Sequence, residues 1–293
     1  MKWLTTVDAV RRFSREARQA GRTVGLVPTM GYLHAGHRAL VDALRREGGA
    51  DTIILSIFVN PLQFGPSEDF ARYPRDLAHD RTWAEAAGVD AVFAPSGEEM
   101  YPLDPETYVD VPMFAGRLEG VSRPTHFRGV TTVVTKLFLA TEPAVAAFGQ
   151  KDAQQAVIVR RMARELLFPV RVLSVPTVRE PDGLALSSRN SYLTPTERAA
   201  APALWQALQR ARALIEAGER SPTVIESALA LALNAHPLVR TDYARVLQLD
   251  GLEPFTRVEG RTLVAVAAWV GSTRLIDNLC LEVRDDVILP ALP

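Results

Sequence analysis

Two histidines stand three residues apart in the stretch Pro28-Thr29-Met30-Gly31-Tyr32-Leu33-His34-Ala35-Gly36-His37. The apolar run Val24-Gly25-Leu26-Val27 before it reads as a buried parallel strand. Arg38 to Arg45 after it has the apolar spacing of a helix. His34 and His37 therefore sit where a strand hands over to a helix start. First-turn N–H groups lack partners there and the helix dipole is positive, which favours an anion. Gly31 and Gly36 let backbone and ligand approach closely. The chemistry this suits is phosphate handling, with imidazole N–H groups donating to phosphate oxygens. A helix-start histidine can also be only a cap, so the rest of the chain has to decide.

Four further polar clusters follow. They are Asn60-Pro61-Leu62-Gln63-Phe64, Arg123-Pro124-Thr125-His126-Phe127-Arg128-Gly129, Gly149-Gln150-Lys151-Asp152-Ala153-Gln154-Gln155 and Ser187-Ser188-Arg189-Asn190. Singly, each also reads as a turn, a solvated loop or a cap. Jointly they fall at successive strand ends, where wound parallel sheets bind their ligands. Phosphoryl or adenylyl transfer needs placement and charge stabilisation. Lys151 offers a point charge and Arg189 a planar fork. Ser187 and Ser188 offer hydroxyls for outer phosphates. Gln63 and Gln155 are uncharged and suit a small hydroxylated acid.

The elements that must position these groups are legible from pattern. Val7 to Ala20 reads as a surface helix, Thr52 to Val59 as a second buried strand, Asp76 to Ala87 as a helix and Val89 to Ala94 as a third strand. Tyr108 to Val111 is strand-like. Val130 to Leu139 is β-branched, but Val130, Val133, Val134, Leu137 and Phe138 share one helical face, so a helix is expected. Ala144 to Phe148 and Val170 to Val175 read as strands flanking a helix from Asp152 to Leu167. Alternating strands and helices predict a right-handed parallel sheet. Beyond a boundary near Pro176 to Asn190, Thr194-Pro195-Thr196-Glu197 opens a helix expected to run to Ala217. A second helix starts at Ser221-Pro222. Strands near Tyr243 to Leu249, Leu263 to Val270 and Arg274 to Leu281 follow. The expected fold is α/β: a Rossmann-like doubly wound parallel sheet over residues 1–178, with a smaller α+β C-terminal domain over 179–293.

Bulk properties narrow the class. The length of 293 residues fits one large or two modest domains, and 47% hydrophobic residues suffice for a core. A net charge of -1 argues against a broad grip on nucleic acid or an anionic membrane. The single cysteine, Cys280, excludes an internal disulfide and lies in an apolar run, as a buried inert thiol would. No signal-peptide core opens the sequence, and no apolar run is long enough to span a bilayer. A cytoplasmic protein is the expectation.

Five stretches, PTMGYLHAGH, FVNPLQFGPSEDFARYPR, RPTHFRGVTTVVTKLF, FGQKDAQQ and REPDGLALSSRNSYL, follow one another from Pro28 to Leu193. In this order the chain resembles the pantoate–β-alanine ligases, or pantothenate synthetases, of the HIGH-type nucleotidyltransferase superfamily. The last hundred residues match by length and pattern more than by motif. The resemblance implies that (R)-pantoate carboxylate attacks the α-phosphorus of Mg-ATP, giving pantoyl adenylate and pyrophosphate. β-Alanine then displaces AMP to form pantothenate. It implies an ATP site lined by Met30, Gly31, Tyr32, Leu33, His34, Ala35, Gly36 and His37, completed by Gly149, Gln150, Lys151, Asp152, Val178, Leu186, Ser187, Ser188 and Arg189. His37 and His34 would be catalytic, with Lys151 and Arg189. Gln63 and Gln155 would hold pantoate, Gln63 also β-alanine, with Asn60, Arg123 and His126 in the substrate site. Mg²⁺ would ride on phosphate oxygens, with Asp76 as its candidate protein contact. Family members are commonly homodimers. A reactive adenylate asks for a closing site, and the second domain, on a flexible linker, is the expected lid. Competing readings are another HIGH-type transferase, which should lack the paired Gln63 and Gln155, and a non-catalytic nucleotide sensor.

Overall fold

The computed structural model of the chain describes residues 1–66, 68–284 and 287–293. β-Branched and aliphatic runs build one sheet from Lys2–Leu4 (β1), Val24–Thr29 (β2), Thr52–Ile57 (β3), Ala91–Phe93 (β4), Val145–Gly149 (β5) and Arg171–Val175 (β6). Its order is β1-β4-β3-β2-β5-β6, with every neighbouring pair parallel. Parallel strands are covered on both faces, which is why they read as continuous apolar runs. Helices α1 (Val7–Gln19), α2 (Ala35–Ala43) and α3 (Leu77–Ala86) are followed by the one-turn helices α4 (Gly97–Met100), α5 (Pro112–Ala115) and α6 (Glu119–Ser122), then by α7 (His126–Thr141) and α8 (Ala153–Glu165). Ile53, Leu55 and Ile57 face a core shared with Leu40, Val41 and Leu44 after β2 and Ala84 of α3. On the other side α1 and α7 pack on each other and on β2.

The chain divides into two compact units, Met1–Gly149 with Ile158–Val175, and Gln150–Val157 with Pro176–Pro293. The second unit carries helices α9 (Pro195–Ala200), α10 (Ala203–Glu216) and α11 (Pro222–Asn234). Its antiparallel sheet has the order β10-β9-β8-β7, from Val239–Gln248 (β7), Gly260–Val270 (β8), Thr273–Arg284 (β9) and Val287–Pro290 (β10). Leu204, Leu208, Ile225 and Leu229 pack there against Val246, Val264 and Val266.

Local departures from expectation have local causes. Tyr108 to Val111 is not a strand: the Val109 N–H donates to Thr132 Oγ1 at 3.0 Å and its carbonyl accepts from Thr131 Oγ1 at 2.6 Å. Threonines of α7 thus replace a strand partner. Thr141 Oγ1 donates to the Leu137 carbonyl four residues back at 2.8 Å, and Thr131 Oγ1 lies 2.7 Å from the Phe127 carbonyl, sharing its one proton between that carbonyl and Val109, so the hydroxyls of these β-branched residues are satisfied within a helix. The helix expected from Thr194 to Ala217 is two helices, because Pro202 between α9 and α10 has no N–H to give. β1 and β10 are too short to show a period. Cys280 lies buried on β9, and burial pushes its thiol up to about 12.

Candidate active site

In the sheet, β2 lies between β3 and β5, and the chain proceeds outward from it in both directions. That reversal is where a wound sheet opens a crevice beyond its strand ends. The loop after β2 is pinned from three sides. Thr29 Oγ1 donates to the Ser56 carbonyl of β3 at 2.6 Å and accepts from Gly31 N–H at 3.1 Å. Gly31 and Tyr32 follow with φ of +83° and +52°. The buried carboxylate of Asp80, on α3, accepts the N–H groups of Tyr32 and Leu33 at 2.9 and 2.8 Å. A Cβ on Gly31 would sit 2.8 Å from Asp80 Oδ2, so glycine is required there on both counts.

The loop delivers His34 to the N-cap of α2. Its Nδ1 accepts from Gly36 N–H at 3.1 Å, and His37 Nδ1 accepts from His34 N–H at 3.2 Å, a capping box built from two imidazoles. The rings lie 4.1 Å apart between centroids. The cap alternative of the sequence reading therefore holds. Backbone donors occupy both Nδ1 lone pairs, so the proton of each neutral ring is on Nε2. Capping fixes the tautomer and turns two caps into two preset N–H donors at a positive helix end.

The Asn60–Gln63 turn follows β3. Gln63 Oε1 accepts from Asn60 Nδ2 at 3.1 Å, and Gln63 Nε2 lies 3.1 Å from Met30 Sδ, which joins this turn to the histidine loop. Helix α7 rests on it so closely that a Cβ on Gly129 would lie 2.4 Å from the Leu62 carbonyl. Arg123 holds Glu68 through Nε at 3.0 Å and Nη2 at 2.5 Å, and its Nη2 also donates to the Gln63 carbonyl at 3.2 Å. His126 Nδ1–H donates to the same carbonyl at 2.9 Å, while its Nε2 faces Arg123 Nη1 at 3.3 Å. These contacts of Arg123 and His126 set the backbone that carries Gln63. Burial raises the Glu68 carboxyl, but Arg123 outweighs it and holds the group below its ordinary value. Burial, then the neighbouring Arg123 charge, push the His126 ring down to about 4.

The His126 shift carries a sign. An unfolded chain takes up this proton below about 6.5 and the native one only near 4. The unfolded state therefore binds more protons across that window, and stability falls as pH drops through it, by about 3 kcal/mol in all. Urea unfolding between pH 7.5 and 4.5 should show a slope that is reduced in His126→Asn, which keeps a donor for the Gln63 carbonyl. An identical slope in both proteins would assign the acid sensitivity elsewhere.

In the second unit, Gln150, Lys151 and Asp152 form a 3₁₀ turn ahead of α8, whose first turn carries Gln155. Asn278 of β9 donates through Nδ2 to the carbonyls of Gln150 and Lys151, both at 2.9 Å. Next to it, buried Asp277 takes both Nη atoms of Arg179, at 2.6 and 2.9 Å, and the Arg179 guanidinium lies 3.7 Å from the Trp205 ring centroid. Arg179 Nη1 also donates to Gly183 O at 3.0 Å, and Leu186 N–H donates to Val178 O at 3.0 Å. The linker expected to be loose and exposed is thus a bonded ribbon. Gly183 in it is buried, with φ of +93° and no room for a Cβ beside Trp205. Ser187 caps the 3₁₀ turn Ser188–Tyr192, its Oγ accepting from Arg189 N–H at 3.3 Å.

Asp76 is the N-cap of α3, accepting from His79 N–H at 2.9 Å. No group of three or more His, Cys, Asp or Glu suited to a metal ion exists among the described residues. Sequence reasoning missed Asp80, Asp277 and Asn278. Their signals were an acid on the same helix face as Ala84, and two polar residues inside the apolar run Leu275 to Leu281.

Comparison with known proteins places this arrangement. A family model described as pantoate-beta-alanine ligase matches residues 2–280. Pantothenate synthetase of Moorella thermoacetica is 55% identical over 97% of this chain and 100% of that protein. The crystal structure of pantothenate synthetase from Thermus thermophilus aligns with a TM-score of 0.88 at 47% identity, over 95% of this chain and 99% of that one. A pantoate-beta-alanine ligase structure from Francisella tularensis, complexed with beta-gamma ATP and beta-alanine, aligns with a TM-score of 0.78 at 29% identity, over 96% and 97%. A capped imidazole pair at the switch point of a parallel sheet and a match that runs nearly end to end lead to one assignment: the chain belongs to the pantoate-beta-alanine ligase family.

Proposed function

We propose that the family's ATP-dependent condensation of pantoate with β-alanine runs in this enzyme through a pantoyl adenylate. In the first step an oxygen of the (R)-pantoate carboxylate bonds to the α-phosphorus of ATP, and the bond to the bridging oxygen breaks, releasing pyrophosphate. In the second, the β-alanine amine attacks the acyl carbon, AMP leaves with the bond electrons, and the amine loses a proton. The observation that carries this reading is the capping box, which holds His34 and His37 as Nε2–H donors at the N-terminus of α2. Such donors meet charge as it builds on phosphate oxygens without first having to reorganise.

The remaining ATP contacts are assigned by motif to Met30 through His37, Gly149 to Asp152, Val178 and Leu186 to Arg189. Gln63 and Gln155 take pantoate. Mg²⁺ enters with the substrate, as Mg-ATP, held chiefly by phosphate oxygens, with Asp76 as its candidate protein contact. A homodimer and closure of the second unit over bound nucleotide complete the proposal. Sedimentation equilibrium, and scattering with and without an ATP analogue, check these two points.

The test of the mechanism is pyrophosphate release with ATP and pantoate alone. About one equivalent per active site should appear in a burst, and β-alanine should then restore continuous turnover. Release that begins only once β-alanine is present would rule out a separate adenylation step. ATP binding with no pyrophosphate release under any acid tested would indicate a nucleotide sensor.

A further inference from the structure

Hydrogen bonds around Gln63 lead back to Tyr101, a residue that no motif singles out. Its buried ring follows α4, and its hydroxyl lies 2.8 Å from Asn60 Oδ1. A side-chain amide has two ends of similar shape and opposite polarity, and here backbone groups decide which is which. The Leu62 N–H can only donate, and it faces Asn60 Oδ1 at 3.3 Å. The Gly129 carbonyl can only accept, and it faces Asn60 Nδ2 at 3.0 Å. Asn60 is thereby oriented, and the Tyr101 hydroxyl must donate to it. Asn60 Nδ2 donates in turn to Gln63 at 3.1 Å, so the Gln63 atom there is Oε1. Nε2, a group that only donates, is left at the far end beside Met30 Sδ.

The Tyr101 ring is itself held. Lys136 Nζ stands 5.0 Å from its centroid while donating to the Met100 carbonyl at 2.7 Å, and Phe58 packs at 6.1 Å. Burial moves the phenol upward from its ordinary value, which keeps it a donor throughout the neutral range.

We propose that Tyr101 is a positioning residue: its hydroxyl holds in place the Asn60 side chain that the Leu62 N–H and the Gly129 carbonyl orient, and Asn60 in turn fixes the polarity of the Gln63 amide, so that Gln63 meets its substrate as a donor only. The substrate group facing it is therefore an acceptor oxygen, a carboxylate or the lone pair of a hydroxyl. An analogue that presents an ammonium at that point is rejected. This rests on the reading that Gln63 holds pantoate.

The test is steady-state kinetics on Tyr101→Phe, Gln63→Ala and the double variant, with Tm as a check on folding. Tyr101→Phe should raise the KM for pantoate about fivefold, as loss of one hydrogen bond does, and leave the KM for ATP unchanged. Added to Gln63→Ala, it should raise the pantoate KM no further, because its effect passes through Gln63. An unchanged pantoate KM in Tyr101→Phe, or an equal rise in both backgrounds, overturns the inference. If Gln63→Ala alone leaves the pantoate KM untouched, the assignment of pantoate to Gln63 is what fails. The orientation itself is then read from the ¹⁵N resonance of the Gln63 side-chain amide. A shift in unliganded Tyr101→Phe supports it, and an unmoved resonance overturns it.

Discussion

Alanine at His37 is expected to cut pyrophosphate release by about 10²–10³-fold in a protein that still folds, the usual cost of removing one preset donor from a developing oxyanion. The same ring also accepts from His34 N–H, so the substitution removes half of a capping box. That part should cost about 1 kcal/mol of stability and no more. The two roles separate with His37→Gln. Glutamine at the third helical position can take the same backbone N–H, so stability should return while the rate stays low. Near-wild-type pyrophosphate release by folded His37→Ala would remove this imidazole from the chemistry. A rate that returned with the glutamine variant would reduce its part to capping.

Asp80→Ala should lower stability by about 3 kcal/mol, the largest loss expected from any single change in the histidine loop. Its carboxylate accepts two backbone N–H groups from a segment held at positive φ. Alanine leaves both donors without that partner, each costing roughly 1–3 kcal/mol when buried. Asp80→Asn keeps one acceptor oxygen and should recover about half. Urea unfolding at neutral pH measures both. A loss below about 1 kcal/mol for the alanine variant would show that the loop keeps its shape without this anchor. The kinetic counterpart is a weaker hold on ATP, since the loop aims His34 and His37.

The parallel sheet was legible because strands buried on both faces leave unbroken runs such as Thr52 to Val59, and α7 because its apolar residues share one face despite their β-branching. The placement of His34 and His37 at a helix start was legible from the apolar strand before them and the helical spacing after them. What stayed hidden was the set of residues that hold the site without belonging to a motif. Asp80 acts on residues 47 and 48 positions earlier. Asn278 acts on residues 127 and 128 positions earlier. Local pattern has no access to such pairings, which only the folded chain brings about. The break at Pro202 is a different case: its missing N–H was present in the sequence, and the Ala/Leu stripe on either side concealed it. Likewise Val109 looked like a strand because its real partners, the hydroxyls of Thr131 and Thr132, lie over 20 positions downstream.

The pair of bonds from Asn278 to the Gln150 and Lys151 carbonyls ties a turn in the middle of the chain to a strand close to its end. A polypeptide still emerging from the ribosome has made the lysine turn long before it has made the strand that shapes it. Until synthesis has passed Asn278, the Gln150 and Lys151 carbonyls lack both of these donors, so the native backbone of the lysine turn forms only after β9 has been made.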